Sequence, residues 1–214
     1  RWEFERAIEL NPNLAIAQQG YAVYLVSMGL FDRAQAEILE AQRLDPVNLN
    51  IKCDVGWFLF FARRTDESIV RLKEVLAMDP NYSIAHVFLA QAYQEKGMFE
   101  EAIVAAQKSV DLFEGNEQRL ANLGDAYARA GKKREARSIL ARLEKVSRDR
   151  YISPYNTGLI YASLGQTDEA LDWLGKAYND RFWMMVFLKV DPRWDSLRSN
   201  PRFVDILRRT GFPS

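Results

Sequence analysis

The apolar positions of this chain come as pairs of short helical stripes joined by tight breaks. The stretch from Ser83 to Asn116 is the template unit: Leu89, Ala90 and Tyr93 share one face at 3.6 residues per turn. Gly97 interrupts the stripe, and Ala102, Ile103 and Ala106 restart it. A glycine takes the left-handed conformation that ends a helix without Cβ strain. Ala102 is small enough for the two helices to approach closely. The pattern predicts a helical hairpin.

Steps of 34 residues find the copies. The turn glycines are Gly29, Gly97, Gly131 and Gly165, and the small residue opening each second helix is Ala34, Ser68, Ala102, Ala136 and Ala170. Leu25, Leu59, Tyr93, Tyr127 and Tyr161 close the first helices and are expected in the core. Ala22, Gly56, Ala90, Gly124 and Gly158 hold the close-packing position, and Pro12, Pro46 and Pro80 end three second helices. A fixed period of this length means a solenoid, in which each repeat packs on its neighbours.

The period and these residues resemble the tetratricopeptide repeat, best in repeat four with Leu120, Leu123, Gly124, Tyr127, Gly131, Ala136 and Leu140. Repeat two departs most, with Arg63 at the turn-glycine position. The resemblance implies an all-α, right-handed superhelical solenoid of hairpins with a C-terminal helical cap. The array is expected over residues 1–180, with a half repeat at 1–14 and five repeats starting near 15, 49, 83, 117 and 151. Thr65 and Thr167, each followed by Asp-Glu, are read as N-caps of second helices.

Phe4, Ala7 and Pro12 match Ile38, Ala41 and Pro46 one period later. Residues 1–14 are therefore a second helix without its first, expected either from a chain that continues upstream or from a lone capping helix. Residues 181–214 break the period. Pro192, Pro201 and Pro213 mark helix starts or stops, with short helices near Arg193–Arg198 and Arg202–Arg209. Trp183, Phe187, Trp194, Leu197, Phe203, Ile206 and Leu207 are expected to cap repeat five. This tail, through Val190-Asp191-Pro192-Arg193, Asp195-Ser196-Leu197-Arg198 and Pro201-Arg202-Phe203, is similar to one that follows such repeats in bacterial multidomain signalling proteins carrying winged-helix, class III cyclase or Ser/Thr kinase domains.

Charge adds one exclusion. Lys+Arg and Asp+Glu number 29 each, a balance that argues against non-specific nucleic-acid binding by this region. The basic run from Lys132 to Arg150 lacks the aromatics of a nucleic-acid surface and reads as a solvated convex face. No apolar run approaches the ~20 residues of a membrane span. Cys53 is the only cysteine and His86 the only histidine. They offer no metal-ligand set, and Cys53 has no neighbour at nucleophile spacing. The reading is non-catalytic, with no cofactor or metal.

By analogy with the repeat family, the first helices line a concave groove. Its expected partner-binding residues are Val23, Cys53, Trp57, Phe60, Phe61, Val87, Gln91, Asp125 and Tyr155. Residues 57–61 are apolar right round the helix, so either a partner or tight winding against neighbouring repeats must cover them. Asn122 and Asn156 match one asparagine position with which some relatives hold a peptide carboxylate. The lysine positions carry Gln19, Cys53, Val87 and Ala121, so that clamp does not carry over. The expected function is a protein-interaction scaffold that binds a peptide or helix. The other reading is a regulatory or oligomerising region of a bacterial signalling protein. The cytoplasm is the expected compartment, or the periplasm for a membrane-anchored parent, and a homo-oligomer is compatible with either reading.

Overall fold

The computed structural model describes residues 2–113 and 115–211, and among them every regular element is helical. A single helix, α1 (Trp2–Leu10), precedes five hairpins: α2 (Ala15–Ser27) with α3 (Phe31–Leu44), α4 (Leu49–Phe61) with α5 (Thr65–Met78), α6 (Ser83–Glu95) with α7 (Phe99–Asp111), α8 (Glu117–Arg129) with α9 (Lys133–Val146), and α10 (Pro154–Ser163) with α11 (Thr167–Asn179). Four of the five first helices start on the 34-residue step. α10 starts three residues late, because Ser153 caps it through Oγ to the Asn156 N–H and Pro154 supplies a preset φ at the first turn.

Each hairpin turn spends its backbone groups in the same way. In repeat three the Gly97 N–H donates to Gln94 O and the Met98 N–H to Tyr93 O, with Gly97 at φ +78°. This pairing uses up carbonyls that the helix end leaves free. Repeat two makes the same bonds from Arg63 and Arg64, and Arg63 sits at φ 63°. A side chain there costs about 1 kcal/mol or more. The turn is so short that the residue after the left-handed one already caps the next helix. Arg64 and Gln166 therefore hold the cap positions without a side-chain bond, and Thr65 and Thr167 are the first helical residues. The expected threonine caps are corrected on this point. The acids after them, Asp66 and Glu67, Asp168 and Glu169, do lie in the first turn.

Small residues make the helix crossings: Ala34, Ala102, Ala136 and Ala170 are fully buried, as are Ala22, Ala41 and Ala106. Tyr93 is buried, but Tyr127 and Tyr161 are only half-buried against the edge of the core. The expectation that all three rings are core is corrected for those two. A phenol tolerates this position because one end of it is polar.

The tail does two different things. Trp194 packs edge-on against Tyr155 and against the bare backbone at Gly158, where an added Cβ would meet Trp194 Cη2 at 3.1 Å. α12 (Pro201–Arg209) lies on α11, with Arg202 reaching Asp168 and Asp172 and Arg209 placed over the Tyr178 ring. That part covers the last hairpin. Trp183 and Phe187 do not. After Arg181 turns the chain at φ 52°, a 3₁₀ segment over Trp183–Phe187 runs back along the concave side. Phe187 stacks on Phe61 at 4.9 Å, meets Trp57 edge-on at 5.0 Å, and is 0% exposed. Val190 reaches the repeat-one turn at Gly29. The expected cap for these residues is thus replaced by a plug. The apolar faces of α4 left over by the hairpin require a cover, and the tail supplies it. Pro213 lies outside the described residues.

A buried ion pair fixes the plug. Asp191 takes Nε and Nη2 of Arg193 at 2.6–3.1 Å, and the Tyr155 hydroxyl donates to its Oδ2 at 2.7 Å. Burial alone pushes the Asp191 carboxyl up, but the guanidinium and these hydrogen bonds carry it below the usual carboxylate range. At the rim, Asp195 meets Arg63 through two contacts of 2.7 and 2.9 Å.

Because Phe187 is enclosed by two rings of repeat two, Phe187→Ala is expected to lower stability by about 3–5 kcal/mol in urea denaturation, the range for emptying a buried aromatic site. A loss below about 1 kcal/mol would show that the tail is not part of the core.

Candidate functional site

The concave face is built by α2, α4, α6, α8 and α10, so its side chains recur one per period. Of the nine expected groove residues, only Val23 is half-buried; Cys53, Trp57, Phe60, Phe61, Val87, Gln91, Asp125 and Tyr155 are buried. Trp57 stacks on Phe88 of the next repeat at 4.8 Å and 5°, and stands edge-on to Phe61 and Phe187. Phe60 packs edge-on to Phe61. Asp125 accepts a hydrogen bond from the Ser163 hydroxyl at 2.6 Å, and Tyr155 is engaged by Asp191. Of the two expected covers for residues 57–61, winding against the adjacent repeat is present, and the tail adds to it.

One part of the groove stays open. A cleft of about 260 Å³ runs between α6, α8 and α10, with Trp57 at its floor and Trp183 and Met184 as its far wall. Val87 and Gln91 are the expected residues that line it, together with Trp57. Ile84, Phe88, Arg119, Asn122 and Asn156 complete the receptor side. Trp183 is 53% exposed there, an aromatic surface that the tail presents to solvent. Three buried polar atoms of this lining have no hydrogen-bond partner among the described residues: Gln91 Oε1, Trp57 Nε1 and Arg119 Nε. Such atoms cost free energy when nothing satisfies them.

Arg119 and Trp183 were outside the expected set for identifiable reasons. Arg119 stands at the third position of its repeat, which the family analogy does not turn inward, and Trp183 belongs to a segment that reads as a cap. The Arg119 guanidinium reaches back toward repeats two and three, where it feels the Cys53 thiol and the Tyr82 phenol. Burial lowers the Arg119 pKa from its usual value. Burial likewise pushes the Cys53 thiol up, which keeps it protonated and weak as a nucleophile. His86 is half-buried, with Nε2 2.9 Å from Pro80 O. Among the described residues, no group of three or more His, Cys, Asp or Glu side chains is placed to hold a metal ion, and no helix is long and apolar enough to cross a membrane.

Two family models described as tetratricopeptide repeat match residues 59–108 and 122–183. Tetratricopeptide repeat protein 21A of Mus musculus is 26% identical over 156 residues, covering 72% of this chain. The chain spans 12% of the length of that relative. Among solved structures, a thermophilic tetratricopeptide-repeat protein of Thermus thermophilus superposes with a TM-score of 0.63 at 19% identity, covering 91% of this chain and 99% of that one. The Cut9–Hcn1 hetero-tetramer of the APC/C gives 0.64 at 15% identity over 97% of this chain and 45% of that one. YrrB gives 0.50 at 24% identity over 87% and 96%. At these identities the structures establish a shared fold.

The opposite, N-terminal end of the groove carries a strained charge. Asp54 accepts a hydrogen bond from the Gln19 amide at 2.7 Å, across repeats one and two. Burial pushes its carboxyl up to about 6, against an ordinary 3.8, and the Gln19 bond offsets only part of that. Below about pH 4 the folded and unfolded forms are both protonated there and the site costs nothing. Between about pH 4 and 6 the unfolded chain releases the proton first, so stability falls as pH rises, and above 6 the penalty stays at roughly 3 kcal/mol by linkage. Asp54→Asn keeps an acceptor for Gln19 and removes the charge. It is expected to raise stability at pH 7 by about 2 kcal/mol and to remove this pH 4–6 decline, as read by thermal melts across that range; an Asn variant with the same slope as the parent would contradict the assignment.

Proposed function

The chain carries tetratricopeptide repeats, and from that premise we propose that it is a non-catalytic interaction scaffold that holds an extended segment of a partner protein in the cleft between α6, α8, α10 and Trp183. The observation that carries this reading is the set of unpaired polar atoms in a cleft whose exposed surface is largely apolar. Gln91 Oε1 offers an acceptor, and Trp57 Nε1 and Arg119 Nε offer donors, the kinds of group that the N–H and C=O of a peptide backbone satisfy. Asn122 and Asn156, one period apart on the same wall, add amides that both donate and accept. YrrB, one of the neighbours by fold, is described as having an unusual peptide-binding site, which lends the reading support by analogy.

Magnitudes favour the open cleft over the plugged end. Phe187, Leu188 and Trp194 are each 0% exposed, and Met184, Met185 and Val190 are buried beside them. Returning those side chains to water costs roughly 10 kcal/mol or more. A partner that binds at micromolar affinity has only about 8 kcal/mol in total. The tail therefore stays, and it serves as one wall of the site. Trp57, Phe60 and Phe61 act in this reading as the floor beneath the ligand, with Trp57 alone of the three reaching it.

A display selection with random twelve-residue peptides against the whole chain tests this. Selected peptides are expected to alter the tryptophan fluorescence of the chain, in a change that Trp183→Phe reduces, and to lose at least tenfold in affinity against Asn122→Ala/Asn156→Ala, while the thermal midpoint of that variant stays within a few degrees of the parent. Binding that is indifferent to both asparagines would place the peptides elsewhere and end the proposal.

A further inference from the structure

The tail shows which chemistry this groove accepts. In the half belonging to repeats one and two, an apolar ring, Phe187, lies on an aromatic floor, and Asp195, further along the same segment, sets its carboxylate on Arg63. The receptor side of that arrangement recurs in the open half. Phe88 and Ile84 give an apolar wall beside the Trp57 floor, and Arg119 gives the guanidinium.

The charges of the cleft are one-sided. Among the described residues no aspartate or glutamate lines it, and its charged lining residues are Arg119 and Arg193. Arg193 is already neutralised, with its fork on Asp191 at 2.6–3.1 Å and the pair almost wholly buried. Arg119 lies over the Phe113 ring at 5.9 Å but makes no ion pair among the described residues, and its Nε is buried without a partner there. A half-buried guanidinium in that state carries an uncompensated charge, which a bound anion relieves.

We infer that the partner segment carries an aspartate or glutamate side chain that seats on Arg119, within a few residues of an apolar side chain that packs on Phe88. This rests on the reading that the cleft is the partner site. A single carboxylate matches a single available arginine flanked by neutral amides. A phosphate group brings close to two charges and would leave one of them unbalanced in a partly enclosed site.

The test uses the peptides selected against the intact chain. They are expected to contain an acid near an aromatic or aliphatic residue, and changing that acid to its amide should weaken binding at least tenfold in fluorescence anisotropy at low salt. Arg119→Gln should weaken the acidic peptide by a similar factor and leave the amide peptide almost unchanged, so that the two losses do not add. The change in the peptide keeps the test decisive even where Arg119→Gln disturbs folding. Peptides that depend on Asn122 and Asn156 but ignore the acid-to-amide change overturn this inference and leave the cleft assignment standing. Peptides indifferent to the asparagines, or a selection that yields none, overturn both. A phosphoserine in place of the acid that binds more tightly than aspartate or glutamate would overturn the choice of carboxylate.

Discussion

Two aromatic side chains of repeat two, Trp57 and Phe61, have nowhere to hide within their own hairpin, and the ring of Phe187 closes over them. Much else in the molecule follows from that contact. It brings the tail back along the concave side and seats Val190 at the turn of repeat one. It also holds Trp183 and Met184 where they wall the open cleft. A solenoid ordinarily leaves its concave side to solvent or to a ligand, because its repeats touch only their neighbours. Here the apolar demand of one helix is met from the far end of the chain, and the groove is divided into a filled half and an open half.

The hairpins were legible in the sequence because they rest on local rules repeated at one interval. The starts of α2, α4, α6 and α8 fall on the 34-residue step, since a glycine or its stand-in, a small residue and a large residue are enough to set each turn. The proline-opened 3₁₀ segment and helix of the tail were legible for the same reason: Pro192 and Pro201 each stand in the first turn behind a capping Asp191 or Asn200. Where the tail goes was not legible. The contact of Phe187 with Phe61 joins residues more than a hundred positions apart, and no spacing rule encodes it. The same limit applies to the cleft. Trp57, Val87 and Gln91 could be placed on the groove by repeat position, but Arg119 enters it by side-chain reach, and Trp183 by the course of the tail.

Charge is distributed with the same periodic logic. Arg129 pairs with Glu95, Lys132 with Glu100 and Lys96 with Asp66, and each pair links one repeat to the next. The two lysine pairs are exposed and contribute about 0–1 kcal/mol each, so they tune the stacking of repeats and do not hold it together, whereas Arg129 and Glu95 are largely enclosed. Their wider effect is on what is left over. With acids and bases consumed along the repeat seams, the cleft keeps a guanidinium with no acid among its lining residues. The chain has no net charge, yet this open recess is locally positive.

The bond between Arg63 and Asp195 spans 132 residues, in a fold whose other contacts mostly join neighbouring hairpins. Hairpins of this kind assemble quickly, because each needs only a short loop to close. Closing a loop of that span costs additional chain entropy, and the aromatic floor it needs exists only after repeat two has formed. Loop entropy therefore favours one order of assembly. In that order the repeats wind before the tail docks, and the far wall of the cleft forms with that docking. A chain still lacking that final step would possess every repeat and still have an unfinished recess.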